Sequence, residues 1–242
     1  MPAPREIDAN AYRSMVNPKG LVSGRVCVKQ TDLLVSGTCD LRRKALPLVV
    51  YYRRHIEEYI LDHPFFVRSL APVPHDETAP EVVKTMIAAS SRAGVGPMAS
   101  VAGAIAEYVG LGLMPHSRDV IVENGGDIFL FTSRRREMLL LAESSLFQGV
   151  RIALEPTPKP IGICTSSGIL GHSLSFGRAD AVMVTADSAS LADAAATAIC
   201  NVVKQHSDVE AAIEKAQQIG INGVVILIGD RMGAWGRVEI LD

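Results

Sequence analysis

Aromatic residues, charge of one sign and paired cysteines are all scarce in this sequence. Aromatic residues make up 5% of its 242 residues, and the formal net charge is −2. The chain therefore has few rings for base stacking and no basic field, and we expect no nucleic-acid partner. The four cysteines, Cys27, Cys39, Cys164 and Cys200, form no C-x-x-C pair, which argues against a zinc knuckle or a disulfide framework.

An apolar leader is also missing from the start of this sequence, and no stretch is typical of a membrane span. Residues 1–14 mix acidic and basic side chains, unlike a secretory signal. The longest apolar stretch, 97–115, contains Glu107, which is costly in a bilayer and ordinary in a buried helix. We therefore expect a cytoplasmic protein that does not enter a membrane.

The apolar content suits one large domain. With 48% apolar residues, the chain can bury a sizeable core without disulfides. We expect a single domain over 1–242, and the proline-rich stretch 64–80 is where two tightly packed lobes would meet. The same content is compatible with a homodimer, because Ala- and Gly-rich helices pack equally well within one chain or between two.

The order of the periodic segments predicts the fold class. Predicted helices cover 46–60, 78–92, 98–109, 191–204 and 209–219, and predicted strands cover 21–29, 32–36, 120–123, 127–132, 138–142, 150–154, 161–165, 181–186, 224–228 and 237–241. Strands grouped between helices predict an α+β fold, with a mixed, mainly antiparallel sheet covered by helices. We expect an antiparallel meander over 120–154, and a capping box formed by Thr78 and Glu81.

Glycines and small polar residues cluster at three places where a ligand would approach the backbone. Gly94 and Gly96 precede a helix whose first amides would bind an anion, although an ordinary helix start explains them as well. The turn Asn124-Gly125-Gly126-Asp127 carries a carboxylate on each side, Glu123 and Asp127, which would hold a cation, and Gly-Gly is also a common hairpin turn. Hydroxyls and amides after the next strand would bind phosphate oxygens, unless they form an ordinary Ser-rich loop. These residues are Thr165, Ser166, Ser167 and Gly168.

A carboxylate and a hydroxyl share one face of the Ala-rich helix predicted at 191–204. Asp193 and Thr197 are four residues apart, so they project from the same side. Both are hard oxygen ligands of the kind that Mg²⁺ accepts beside phosphate oxygens. The ordinary explanation of Asp193 is a first-turn acid that follows an N-cap at Ser190.

At these residues the sequence resembles the ApbE-like superfamily, whose better known members are FAD-dependent FMN transferases that act on other proteins. The resemblance rests on 124–127, 165–168 and 192–198 in that order, and it spans roughly residues 94–201. It implies an ApbE-like fold in which Asp193 and Thr197 hold Mg²⁺ beside the pyrophosphate of a bound flavin, FAD or FMN. It also implies ligand contact by Asp127.

Two departures separate this chain from the transferases of that superfamily. The segment 96–100 lacks the lysine of their Gly-x-x-Lys-Gly signature, and no Pro-x-Thr-Gly element follows His172. The chain is closer to a shorter branch, for which a link to sulfide incorporation during homocysteine formation has been proposed.

Three functions stay open on the sequence alone. The first is a Mg²⁺-dependent transferase or hydrolase acting on a flavin or another nucleotide diphosphate, with His172 as general acid or base and Arg178 as a phosphate clamp. A buried histidine and an ion pair between Arg178 and Asp180 are the structural alternatives. The second is an accessory protein of sulfur incorporation that uses Cys164 as a nucleophile or persulfide carrier. The third is a binding protein that keeps the pocket without catalysis.

Overall fold

A computed structural model describes residues 16–142, 149–167 and 177–241 of the chain. Within these ranges the helices are α1 (Arg42–Asp62), α2 (Glu81–Ala93), α3 (Val101–Leu113), α4 (Ala189–Val202) and α5 (Val209–Ile219). The strands are β1 (Val22–Val28), β2 (Thr31–Gly37), β3 (Val120–Asn124), β4 (Asp127–Phe131), β5 (Arg136–Leu140), β6 (Val150–Leu154), β7 (Ile161–Ser166), β8 (Ala181–Ala186), β9 (Gly223–Ile228), β10 (Arg231–Gly236) and β11 (Glu239–Leu241).

The strands form two antiparallel sheets. The large sheet has the order β1-β2-β3-β4-β7-β8-β9-β10, and the small sheet has the order β11-β6-β5. Each pair of neighbouring strands in the described ranges is antiparallel. The predicted α+β class, with a mainly antiparallel sheet covered by helices, is confirmed.

The large sheet separates the helices from the small sheet. On one face, α1, α2 and α3 pack around Phe66, Met86 and Phe129, and α4 and α5 pack beside them. On the other face, the small sheet packs against residues such as Ile128 and Ile163. β8 and β9 are buried along their whole length because both of their faces are covered, which accounts for their unbroken apolar sequences.

The predicted meander over 120–154 is wrong. β3 pairs with β4 as expected, but β4 then pairs with β7, while β5 and β6 pair with each other in the small sheet. β5 alternates buried and exposed residues, as a strand with one face in solvent does, whereas β4 and β7 are largely buried on both faces. The alternation therefore marks β5 as part of an outer layer.

Two local predictions also differ from the structure. α2 has Pro80 at its N-cap and no side-chain cap, and Thr78 Oγ1 donates to Asp76, so the predicted capping box with Glu81 is wrong. The sequence does not predict β10, because its residues are mostly exposed and include two glycines. An edge strand of this kind carries little apolar signal.

Two segments singled out from the sequence pack against the rest of the fold. In the proline-rich stretch 64–80, Phe66, Val73 and Ala79 are buried in the core under α1, α2 and α3. The helical segment Pro97–His116 is long and apolar enough to cross a membrane by length and composition, and 50% of its apolar window is buried inside the fold. A core helix passes the same test, so the absence of a membrane partner stays a prediction. The single domain over 1–242 also stays a prediction.

Candidate functional site

Three buried side chains converge where β4, β7 and α4 meet. Ligand atoms of Asp127, Cys164 and Asp193 all lie within 4.8 Å of one another. Asp127 and Cys164 are directly opposite on the paired strands β4 and β7, so their side chains share one face of the sheet. Asp193 reaches them from α4, which packs on that face. These three residues form the acid–thiol cluster.

The hairpin turn between β3 and β4 brings the carboxyl of Asp127 to this position. Gly125 has φ +67°, a left-handed conformation that two-residue hairpin turns need and that glycine adopts without strain. A Cβ atom on Gly126 would lie 2.5 Å from a backbone carbonyl oxygen of β7. Asn124 donates its side-chain amide to the carbonyl oxygen of Ala102, which ties the turn to the start of α3. The glycines thus allow the turn and its close packing, and the polar residues beside them meet the helices.

Asp193 lies in the second turn of α4 rather than at its start. The N-cap is Ser188, whose side chain accepts a hydrogen bond from the N–H of Leu191, so the predicted N-cap at Ser190 is wrong. The helix dipole stabilises an acid mainly within the first turn. It therefore does not explain why a carboxyl is buried at this position.

The carboxyl of Asp193 accepts from the first amides of α3. Gly103 N–H donates to Asp193 Oδ2 at 2.9 Å, and the amide of Ala102 also stabilises the charged form. A Cβ atom on Gly103 would lie 2.2 Å from the carbonyl oxygen of Ala189, so glycine lets α3 and α4 come this close. The amides of Ala102 and Gly103, at the start of α3, are thus taken by a carboxylate of the chain itself.

A carboxylate of each of the helices α3 and α4 accepts hydrogen bonds from the start of the other helix. Glu107 of α3 accepts from the backbone N–H of Ser190 at 3.0 Å and from its hydroxyl at 2.6 Å. Asp193 of α4 accepts in return from Gly103 of α3. Each helix thereby satisfies amides at the start of the other. These hydrogen bonds fix the position of the Asp193 carboxyl in the acid–thiol cluster.

Burial shifts the pKa values throughout the acid–thiol cluster. Desolvation raises the pKa of Asp127 to about 7, with the Cys164 thiol and Asp193 acting in the opposite direction. Desolvation and then repulsion from Asp127 raise the pKa of Asp193 well above its usual range. Desolvation and the two carboxyl groups raise the pKa of Cys164 in the same way. Each of these shifts favours the protonated form of its group.

Two polar atoms on this face of the sheet have no hydrogen-bond partner among the described residues. They are Asp127 Oδ1 and Ser166 Oγ, and both residues are 7% exposed. Ser166 is two residues after Cys164 on β7, so it lies on the same face of the strand. An unsatisfied buried carboxyl oxygen is costly. Two carboxyls and a hydroxyl on one buried face suit a divalent cation and the oxygens of its ligand.

The strand register divides the other predicted residues between the two faces of the sheet. Thr165 pairs with Met183, which belongs to the core under the small sheet, so the unpartnered Thr165 hydroxyl faces away from the cluster. Glu123 pairs with Ile128 of that same core, so the two carboxylates flanking the glycine turn lie on opposite faces. Ser167 follows the end of β7 and is half-buried.

Gly94 and Gly96 each have a structural task. Gly94 ends α2 in the left-handed region with φ +78°, and its N–H donates to the carbonyl oxygen of Ser90, as in a glycine C-cap. A Cβ atom on Gly96 would lie 1.8 Å from the carbonyl oxygen of Ser69. Backbone geometry therefore accounts for both glycines, and their contact with a cofactor stays a prediction.

The remaining predicted residues lie along α4 or outside the described ranges. Thr197 is buried one turn after Asp193. Arg178 is exposed, and its N–H donates to the C-cap carbonyl of α4, about 15 Å from Asp193 along the helix axis. Thr197 therefore follows Asp193 on the same face of α4, whereas the backbone of Arg178 is anchored at the far end of the helix. His172 and Gly168 fall within 168–176, outside the described residues.

Sequence reasoning does not single out Gly103 or assign a task to Glu107. The available signals are a glycine inside a helical pattern, which often has a packing reason, and one acid in an otherwise apolar helix. A surface concavity of about 500 Å³ also lies at the other end of the β3–β4 hairpin, lined by residues such as Met114, Thr132 and Ser133. None of the predicted site residues lines it, so concavity alone does not find this cluster.

Comparison with known proteins gives one family and one fold. A family model described as AbpE bacteria matches residues 13–226. A UPF0280 protein of Methanocaldococcus jannaschii is 40% identical over 225 residues, covering 90% of this chain and 91% of that protein. One of Methanothermobacter thermautotrophicus is 42% identical over 209 residues, covering 84% and 81%.

Solved structures share the fold at low sequence identity. The apo flavinyl transferase ApbE of Pseudomonas stutzeri superposes with a TM-score of 0.56 at 14% identity, covering 89% of this chain and 93% of that one. The flavin transferase ApbE of Vibrio cholerae gives 0.51 at 14% identity, covering 89% and 96%. At these identities the likeness establishes the architecture and leaves the chemistry to the residues of the site.

Proposed function

This chain belongs to the AbpE bacteria family, within the ApbE-like superfamily, and on that premise we propose that it binds a flavin or another nucleotide diphosphate together with a divalent cation. The observation that carries the proposal is the unpartnered Oδ1 of Asp127 inside a buried cluster with a second carboxyl, Asp193. Two buried carboxyls this close are stable together only if they share protons or hold a cation.

Asp127 and Asp193 would hold the cation, and Thr197, one turn along α4, would add a hydroxyl oxygen. When bound, such a cation neutralises charge on a diphosphate and so favours phosphoryl-type transfer. Ser166 lies on the same face of the sheet, where its unpartnered hydroxyl would donate to a ligand oxygen. His172 as general acid or base, Arg178 as a clamp and the loop contacts of Ser167 and Gly168 belong to this proposal as predictions.

Flavin is the ligand to test first. The solved relatives of the same fold are named as flavin and flavinyl transferases, and the order of motifs in this sequence resembles theirs. The lysine missing from 96–100 removes one cationic contact to such a ligand. We therefore propose a flavin or nucleotide diphosphate as the substrate class, with Mg²⁺ as the cation that the resemblance implies.

A nucleophilic role for Cys164 has less support. A reactive cysteine is partly exposed and has a lowered pKa, whereas Cys164 is 3% exposed and its pKa is raised by desolvation and the neighbouring carboxyls. The alternative of a persulfide carrier in sulfur incorporation is therefore not the function that this geometry favours.

Thermal unfolding of the purified protein tests the proposed function. Mg²⁺ with FAD should raise the melting temperature more than either alone, because a ligand that binds only the folded state stabilises it by about 2.7 kcal/mol at a hundred times its Kd. Asp193→Asn should abolish the shift. Asp187→Asn is the matched control, since Asp187 is an exposed acid just before α4 and its loss should leave the shift intact. Absence of stabilisation by FAD, FMN or ADP with each of Mg²⁺, Mn²⁺ and Co²⁺ would overturn the proposal.

A further inference from the structure

The thiol of Cys164 lies among the ligand atoms of the candidate cation site. We propose that Cys164 is a third ligand of the cation, so that the site selects a borderline cation such as Zn²⁺ or Co²⁺ over Mg²⁺. This inference rests on the proposed function for the existence of a cation site and concerns which cation that site takes.

The geometry fits one ion held by all three side chains. Ligand atoms of Asp127, Cys164 and Asp193 lie within 4.8 Å of one another. Two ligand atoms of one tetrahedral zinc ion are separated by about 3.5 Å, since zinc bonds oxygen at about 2.0 Å and sulfur at about 2.3 Å. The three atoms, at most 4.8 Å apart, would therefore move together by up to about 1.3 Å to enter one coordination sphere.

The position of Cys164 leaves its sulfur facing the acids. Cys164 is directly opposite Asp127 in the β4–β7 register, and Asp127 keeps one oxygen without a partner. All three residues are nearly buried, with Cys164 at 3% and the two acids at 7% exposed. Three protein ligands leave a fourth coordination position for a ligand oxygen, as in catalytic zinc sites.

The identity of the donor atoms decides between cations. Mg²⁺ takes oxygen ligands in near-octahedral geometry and keeps several waters, whereas thiolate sulfur favours softer ions such as Zn²⁺. A serine hydroxyl at 164 would have served Mg²⁺ as well or better. The thiol in this place therefore shifts the preference toward cations that bind sulfur.

Charge and proton balance are consistent with thiolate ligation. When Cys164 binds the cation, its S–H bond breaks, the S–metal bond forms, and one proton passes to solvent with no change in oxidation state. Two carboxylates and one thiolate exceed the charge of a divalent cation by one. The amides at the start of α3, which already donate to Asp193, partly offset that excess.

Cobalt titration of the intact protein tests this inference. Wild-type protein with Co²⁺ should show a thiolate-to-cobalt charge-transfer absorption, which Cys164→Ser should lose. That variant should bind Co²⁺ at least about tenfold more weakly, a loss that even outer-shell partners of a metal can cause, while Mg²⁺ binding changes little. Cys200→Ser, at the other buried cysteine, should keep the absorption.

Each result separates the two proposals. Binding of Co²⁺ to the wild type without charge-transfer absorption would overturn thiolate ligation and leave the cation site standing. An absorption that persists in Cys164→Ser would also overturn it. Failure of Mg²⁺, Mn²⁺ and Co²⁺ alike to bind the wild type would overturn the proposed function itself. If Cys164→Ser does not fold, a variant with Cys27, Cys39 and Cys200 all changed to Ser decides, since Cys164 is then the one remaining cysteine of the sequence; loss of the absorption in that variant would overturn thiolate ligation.

Discussion

Two buried carboxyl groups stand at opposite ends of the β3–β4 hairpin, and their surroundings differ sharply. Asp119, just before β3, is 4% exposed and Asp127 is 7% exposed, so both residues are buried. Asp119 accepts from the backbone N–H of Ser133 at 2.5 Å and from its hydroxyl at 3.3 Å. Asp127 has an oxygen without a partner in the described ranges and faces another acid.

The pKa values of the two acids move in opposite directions as a result. Burial acts to raise the pKa of Asp119, but the amide and hydroxyl of Ser133, with Thr132 and Arg136, bring it below its ordinary value. Burial raises the pKa of Asp127 to about 7. Burial alone therefore does not mark a functional acid. The mark is burial without donors, beside a second acid.

The largest expected effect is the loss of stabilisation by a cation when Asp127, at the turn end of the hairpin, is replaced. Asp127→Asn should abolish stabilisation by a divalent cation, a loss of about 2.7 kcal/mol at a hundred times the Kd. It should also raise the melting temperature of the cation-free protein above pH 7, since one of two repelling carboxyls is removed. Calorimetry with and without cation measures both effects. An unchanged cation response in this variant would break the comparison.

Asp119→Asn should do the reverse. We expect it to lower the free energy of unfolding by about 1.5–3 kcal/mol, the usual contribution of hydrogen bonds to a charged group, because Ser133 and Arg136 lose their anionic partner. Its stabilisation by cation should match that of the wild type. Chemical denaturation gives the first quantity and metal titration the second. A lost cation response here would show that the two ends of the hairpin are not independent.

The pH dependence of the cation-free protein should separate the two acids by sign. The carboxyl of Asp127 has its ordinary pKa of 3.8 when the chain is unfolded, and burial raises this pKa to about 7 in the folded state. Between these values the folded state holds more protons, so its free energy of unfolding falls as pH rises, by at most about 1.4 kcal/mol per unit. The lowered pKa of Asp119 gives stability that is present above its ordinary pKa and lost as pH falls.

Denaturation at a series of pH values tests this difference. Asp127→Asn should flatten the decline between pH 4 and 7, and Asp119→Asn should flatten only the decline on the acid side of that window. The raised pKa of Asp127 would be contradicted if the stability of the wild type and that of Asp127→Asn rose by the same amount from pH 4 to 7.

The smallest expected effect compares the two unpartnered hydroxyls of β7. Ser166→Ala and Thr165→Val each remove a buried hydroxyl without a partner, so each should stabilise the ligand-free protein by up to about 1 kcal/mol. Only Ser166→Ala should weaken binding of cation with nucleotide, because Thr165 lies on the other face of the sheet. Equal binding losses in both variants would show that strand face does not define the site.

The sequence is informative about the site where local spacing decides the outcome. Asp193 and Thr197 lie on one face of α4 as their spacing predicts, and β8 and α5 begin and end where apolar periodicity places them. The residues that meet across the sheet could not be derived in this way. Whether Asp127 faces Cys164 depends on β4 pairing with β7, a long-range choice that leaves no local pattern.

Close backbone approaches were equally hidden from sequence reasoning. In the sequence, Gly103 is a glycine that weakens a helix. In the structure, it allows the carbonyl oxygen of Ala189 to approach α3 closely. Gly94 and Gly96 look like ligand glycines, although a helix end and the carbonyl of Ser69 account for them. A glycine reports that space is short or that φ is unusual, and only the fold tells which neighbour is responsible.

The hydrogen bonds from the start of each of α3 and α4 to a carboxylate of the other helix have a consequence for how the site would bind a cation. Glu107 accepts a hydrogen bond from the start of α4, and Asp193 accepts one from the start of α3. A tilt of either helix would therefore break hydrogen bonds to both carboxylates. The carboxyl of Asp193 would thus be oriented by folding before an ion arrives. Selectivity would then depend on which donor atoms the fold presents to the ion, two carboxyl groups and a thiol.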